Sequence, residues 1–184
     1  MARISLLFLS IFFISSIHAQ IFKAKEGGTT ITFSSKAPME EIEGVNKSAV
    51  IVLNTVTNDI QIRISVQNFK FKNALMEDQF NENYLETEKY PNAVFQGTIN
   101  EKVDYSKDGE TKVTVTGKME IHGVTKDQTY EGILKKSSNE VTITSNFKVK
   151  LNDFNIKIPS LYVKNISEIV EVEIKTVLDL FQKK

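Results

Sequence analysis

No cysteine occurs among the 184 residues, which excludes disulfides, thiol catalysis, thiolate zinc sites, iron–sulfur clusters and covalently attached haem. Stability has to come from apolar packing and the backbone hydrogen-bond ladder. Net charge is missing as well: 23 Lys and Arg balance 23 Asp and Glu. The lysines are scattered and form no basic stripe, which argues against nucleic acid as a partner. Histidine is scarce, and only His122 lies beyond the N-terminal leader. By alternation it sits on the polar side of its strand, where a solvated or turn-stabilising role outweighs a catalytic one. There is no G-x-S-x-G elbow and no Gly-rich phosphate loop. The acidic cluster Glu77, Asp78, Glu82, Glu86 and Glu88 lacks calcium-loop spacing and reads as a solvated helix face. No catalytic residue, metal site or resident cofactor is expected.

Long apolar runs are confined to the start. Residues 1–19, MARISLLFLSIFFISSIHA, combine a basic Arg3, an apolar stretch from Ile4 to Ile17 and a small Ala19, the pattern of a secretory signal peptide. The stretch is shorter than the roughly 20 residues a membrane helix needs, and no later segment approaches it. A soluble domain over 20–184, periplasmic or secreted, is expected, with no transmembrane segment. Two N-x-S sequons, at Asn46 and Asn165, matter only in a host that glycosylates.

What the chain has in abundance is period-two alternation. Ile60, Ile62, Ile64 and Val66 alternate with polar residues, as do Val113, Val115, Gly117, Met119 and Ile121; Val141, Ile143, Ser145, Phe147, Val149 and Leu151; and Val170, Val172, Ile174, Thr176 and Leu178. Each set predicts a strand with one buried face. Shorter candidates at 29–36, 48–56, 93–101 and 128–136 bring the number to about eight. Asp108-Gly109 reads as a tight hairpin and Ser137-Ser138-Asn139 as a short loop, so neighbours run antiparallel. Long strands with one apolar face each predict an all-β, eight-stranded antiparallel barrel.

Two irregularities interrupt the pattern. Apolar positions are even-numbered through Val66 and odd at Phe69 and Phe71, which predicts a bulge near Gln67-Asn68. Residues 74–85 switch to helical spacing after Asn73 as N-cap, with Leu75, Met76, Phe80 and Tyr84 as the apolar stripe, and Pro91 returns the chain to a strand. Along the inward rows small residues recur, namely Gly97, Gly117, Gly132 and Ser145. They either leave space inside or mark bends where the sheet coils.

The runs LMEDQFNENYLETEKYPNAVFQGTI (75–99), VTVTGKMEIHGVTKDQTYEGIL (113–134) and FKVKLNDFNIKIP (147–159), with SSKAPMEEIEGVN (34–46) as a first turn region, resemble the YceI-like family of exported proteins. The resemblance spans nearly the whole mature chain. It implies a lipocalin-like barrel, with a short helix after the third strand, whose apolar lumen holds a polyisoprenoid such as a quinone tail or related prenyl lipid. Where the family pattern leads us to expect His, this chain has Gln79, which keeps hydrogen bonding but loses a pH-dependent charge. On this reading the ligand wall comprises Phe33, Phe69, Phe71, Met76, Phe80, Tyr84, Phe95, Met119, Phe147 and Phe154, with Gly97, Gly117 and Ser145 making room. The chain would carry or sequester a long apolar lipid, and homodimerisation is left open. The competing readings are a filled barrel that binds a protein or envelope partner through its outer surface and, behind it, an enzyme acting on a hydrophobic substrate.

Overall fold

The computed structural model describes residues 20–159 and 164–181. The leader expected over residues 1–19 lies outside them. Ten strands form one antiparallel sheet: β1 (Ile21–Lys36), β2 (Glu41–Asn46), β3 (Val50–Asn54), β4 (Asp59–Ser65), β5 (Lys70–Phe71), β6 (Asn92–Ile99), β7 (Gly109–Ile121), β8 (Val124–Ser137), β9 (Glu140–Lys150) and β10 (Ile169–Leu180).

Register reduces these ten strands to eight staves. β1 pairs Ile21–Lys23 with β3 and Ile31–Lys36 with β2, so β2 and β3 are two halves of one broken stave. Likewise β3 pairs β4 while β2 pairs β5, making β4 and β5 the third stave. Pairing of β1 with β10 closes the barrel. The sheet is therefore the expected eight-stranded antiparallel barrel.

The break in the third stave falls where the parity of apolar positions changes. It is a 3-10 turn at Val66–Asn68, not a bulge. Buried Asn46 fastens it: its amide donates to the Ser65 carbonyl (2.8 Å), and its Oδ1 accepts from the Ser48 backbone N–H (2.8 Å) and hydroxyl (3.1 Å). With no exposed surface, that Asn46 side chain is inaccessible to glycosylation in the folded protein. A true irregularity of β1 lies at residues 25–28, where its register against β10 slips and Gly27 takes φ +69°.

Two other expectations are corrected. β2 forms within the expected turn region, its apolar pattern weak because Gly44 and Asn46 hold buried positions on the row of Ile42; the glycine is needed since a Cβ there would lie 2.4 Å from the Phe33 ring. Asp108-Gly109 is not a tight hairpin: β6 ends at Ile99, and Asp108 instead accepts from the Ser138 N–H (2.7 Å) in the neighbouring loop. The tight turn of that region is His122-Gly123, with φ +51° and +71°, both positive as a type I′ hairpin requires.

One end of the barrel, the base, carries the loops at 55–58, 100–108 and 138–139, and it is solidly filled. Phe22, Leu53, Leu134, Val141 and Leu178 meet there, each at most 1% exposed. Above them the buried Thr29 and Thr176 hydroxyls bond at 2.7 Å, satisfying both. The opposite end carries the segment 66–91, the His122 turn and the described residues that follow β9 and precede β10.

Candidate functional site

Helix α1 (Ala74–Gln79) starts where Asn73 accepts the Met76 N–H (2.9 Å), and it continues as a π-helical turn, Phe80–Tyr84. In that turn the Leu85 N–H reaches the Phe80 carbonyl at 2.9 Å. The wider turn carries Phe80 and Tyr84 onto the barrel mouth. Leu75, expected in the apolar stripe, is 66% exposed and points away; Met76 faces the barrel instead. The acids are less idle than expected, since Glu77 pairs with Lys70 (2.5 Å) and Glu86 with His122 (2.7 Å). His122 is not solvated. It packs on Tyr90 with ring centroids 4.5 Å apart, and its Nδ1 lies 3.3 Å from the Phe154 carbonyl, which makes it a fastener of its turn.

Beneath this lid lies a cavity of about 240 Å³. Four rings seal its top. Phe33 and Phe80 stack at 5.3 Å, and Phe69 and Phe71 pack edgewise or tilted against both, at 4.9 to 5.7 Å, within the favourable range for aromatic pairs. Deeper, Tyr130 bridges Phe147 (4.1 Å) and Phe95 (5.7 Å). The upper half of the barrel is thus hollow while the lower half is filled.

Of the residues expected to form the wall, Phe33, Phe69, Phe71, Met76, Phe80, Tyr84, Phe95, Met119, Ser145 and Phe147 line this cavity, and so does Gln79. Three do not. Phe154 is buried beside the His122 turn, outside the lining. Gly97 and Gly117 are cross-strand partners where β6 and β7 approach each other closely. A Cβ on Gly117 would sit 2.2 Å from the Gln96 carbonyl oxygen, and one on Gly97 would meet the Phe95 ring at 2.8 Å. Their role is the coil of the wall, not free space. Ser145 does border the cavity, and its hydroxyl donates to the Glu131 carbonyl (2.6 Å).

Sequence reasoning passed over Ile62, Val115, Tyr130 and Val172, which also line the site. Alternation placed them inward, but nothing in it separates a hollow layer from a filled one. Among the described residues no Lys, Arg, His, Asp or Glu lines the cavity, and no cluster of three or more His, Asp or Glu could hold a metal. Its polar groups are hydroxyls and one amide. Such a lining suits an uncharged, apolar occupant.

Burial pushes the Tyr130 hydroxyl up to about 12, and that of Tyr105, which donates to Asn58 (3.1 Å) near the base, to the same value. An unfolded tyrosine ionises near 10, so the folded state binds these protons more tightly. The stability this gives is complete below pH 10 and lost as pH rises through 12. Absorbance titration of the phenolates is expected to show two late-ionising tyrosines, with the urea midpoint falling between pH 10 and 12.

The sequence matches the YceI-like domain over residues 18–178. This chain belongs to the YceI-like family. No curated protein matches it closely enough to count as a relative. Among solved structures the YceI-like chain is similar to a polyisoprenoid binding domain from Saccharophagus degradans (TM-score 0.75, 14% identity, 87% of this chain and 98% of that one). It also resembles BcnA of Burkholderia cenocepacia (0.70, 20%, 84% and 98%) and the Campylobacter jejuni YCEI protein (0.59, 16%, 99% and 100%). At these identities the likeness concerns the fold, which in this YceI-like protein is the half-hollow barrel described above. No described helix is long and apolar enough to cross a membrane.

Proposed function

We propose that this protein is an exported carrier that holds or sequesters a long apolar isoprenoid lipid, of quinone or polyprenyl type, in the upper half of its barrel. The observation that carries this reading is the cavity itself: a space lined by apolar and aromatic side chains and free of ionised groups among the described residues. Burying each methylene there is worth about 0.8 kcal/mol, so a prenyl tail binds with few polar contacts and no catalytic group is required. The ligand-facing residues on this reading are the aromatic wall from Phe33 to Phe147, the lid residues Met76, Phe80 and Tyr84, and Ser145. Export is inferred from the basic, apolar and small-residue pattern of residues 1–19. The polyisoprenoid binding domain of Saccharophagus degradans, with the same fold, supports the ligand class.

At about 240 Å³ the space is somewhat below the roughly 300–1,000 Å³ of ordinary ligand pockets. A slim, unbranched or prenyl chain fits this better than a ring system, and the aromatic lid has to yield or the tail has to protrude for the longest chains. Solvent extraction of the purified, exported protein followed by mass spectrometry is expected to release a stoichiometric prenyl lipid. Repeated recovery of none, with no uptake of added quinone or polyprenol, would contradict the assignment.

A further inference from the structure

The wall of the barrel is not equally closed on all sides. β9 is hydrogen-bonded to β10 along its whole length, from Glu140 to Lys150. β8 is bonded to β7 from its turn at Val124 through Lys136. Between β8 and β9, however, the ladder runs only from Ser137↔Glu140 to Ile133↔Thr144 and stops. Residues 124–132 of β8 and 145–150 of β9 continue as strands with partners on one side only. Gly132 marks the last close approach, because a Cβ there would lie 2.8 Å from the Thr144 carbonyl oxygen. One step further the Ser145 hydroxyl bonds the Glu131 carbonyl in place of a backbone N–H. At the rim the strands are tied again, through His122 Nδ1 and the Phe154 carbonyl.

A slot framed by these two ties remains in the wall. From Ser145 to Leu151 it spans roughly 20 Å at about 3.3 Å per residue. Tyr130 on one side, and Ser145, Phe147, Val149 and Leu151 on the other, line the central cavity. Tyr130 and Phe147 are only half-buried, although they touch across the slot at 4.1 Å. The mouth under the lid offers a contrast, since four mutually packed phenylalanines block it and the Lys70–Glu77 and His122–Glu86 pairs pin its edge.

We propose that this slot between β8 and β9 is the entrance to the cavity, through which an uncharged prenyl chain passes sideways past Tyr130 and Phe147. Entry then needs two aromatic side chains to part and breaks no strand pairing. The phenol of Tyr130, desolvated and with no hydrogen-bond partner among the described residues, is placed to donate to an uncharged oxygen of a head group left at the slot. This inference rests on the carrier reading, and its test separates the two.

The chain has no cysteine, so thiol cross-links can be placed cleanly. Thr129→Cys with Lys148→Cys puts two exposed thiols on opposite banks of the slot, and Lys70→Cys with Glu77→Cys joins the lid to β5. Each pair is closed with a short, reducible bis-thiosulfonate linker, and uptake of farnesol is timed. Linking the slot is expected to slow uptake by about tenfold or more, reversibly on adding reductant, while linking the lid leaves uptake at the unmodified rate. Unimpeded uptake through a linked slot, slowing by the lid link, or a loss that reductant does not reverse would overturn the proposal. If the unmodified protein takes up no farnesol at all, the carrier reading fails and the entrance with it.

Discussion

Gly117→Phe is expected to give no folded barrel. The position lies in a row of inward residues, which makes a phenylalanine there look like a plug for the lumen. The backbone forbids it, since a Cβ alone would stand 2.2 Å from the Gln96 carbonyl oxygen and 2.4 Å from the Gly97 Cα. Neither atom belongs to a flexible side chain. Accommodation requires β6 and β7 to separate where their ladder runs from Val94 to Ile99. Even Gly117→Ala is expected to cost on the order of 3 kcal/mol or more, placing it among the few severe single substitutions. Urea unfolding followed by far-ultraviolet circular dichroism checks both variants. A Gly117→Ala midpoint equal to that of the unmodified protein would refute the close approach.

Val115→Trp is expected to have the opposite profile, with a folded barrel that no longer binds. Val115 faces the cavity from the middle of β7, paired with Ile99 on one side and Tyr130 on the other. An indole there grows into empty space before it meets the Tyr130 and Phe95 rings. The fold is expected to pay about 1–3 kcal/mol for this overpacking, while the space for a chain is largely consumed. A fall of at least about a hundredfold in farnesol affinity, corresponding to loss of three or four buried methylenes at about 0.8 kcal/mol each, is the expected readout by fluorescence displacement. Unchanged affinity together with an unchanged unfolding midpoint would mean that the chain does not occupy this layer.

Much of this architecture is legible in the sequence because period-two alternation is a direct imprint of a one-sided sheet. The strands of Ile60 to Ile64, Val113 to Ile121 and Val170 to Leu178 carry that imprint, and Asn73 marks the start of the helix that covers the mouth. Parity also located the break after Val66, although it does not distinguish a bulge from a 3-10 turn, since both displace the faces. β2 escapes because Gly44 stands where an apolar residue would complete its pattern, and the reason for that glycine, the ring of Phe33, is its direct cross-strand neighbour only in the folded sheet. The site divides along the same line. Ten of the thirteen residues expected in the wall line the cavity, because inward orientation is local. Gly97 and Gly117 do not, because a small inward residue means space only if the opposite backbone stays away. Whether a layer of the barrel is filled, as around Phe22, or hollow, as around Val115, depends on how eight staves converge, and no single stave encodes it.

The central claim is that the hollow upper half of the barrel binds an apolar chain by burying it. It is tested most directly by titrating the protein with primary alcohols of increasing chain length. The account predicts that affinity rises about fourfold per added methylene, the equivalent of about 0.8 kcal/mol, until the cavity is full and then levels off, with Val115→Trp reaching its plateau several carbons earlier. Affinity that is absent, or flat with chain length, would contradict it.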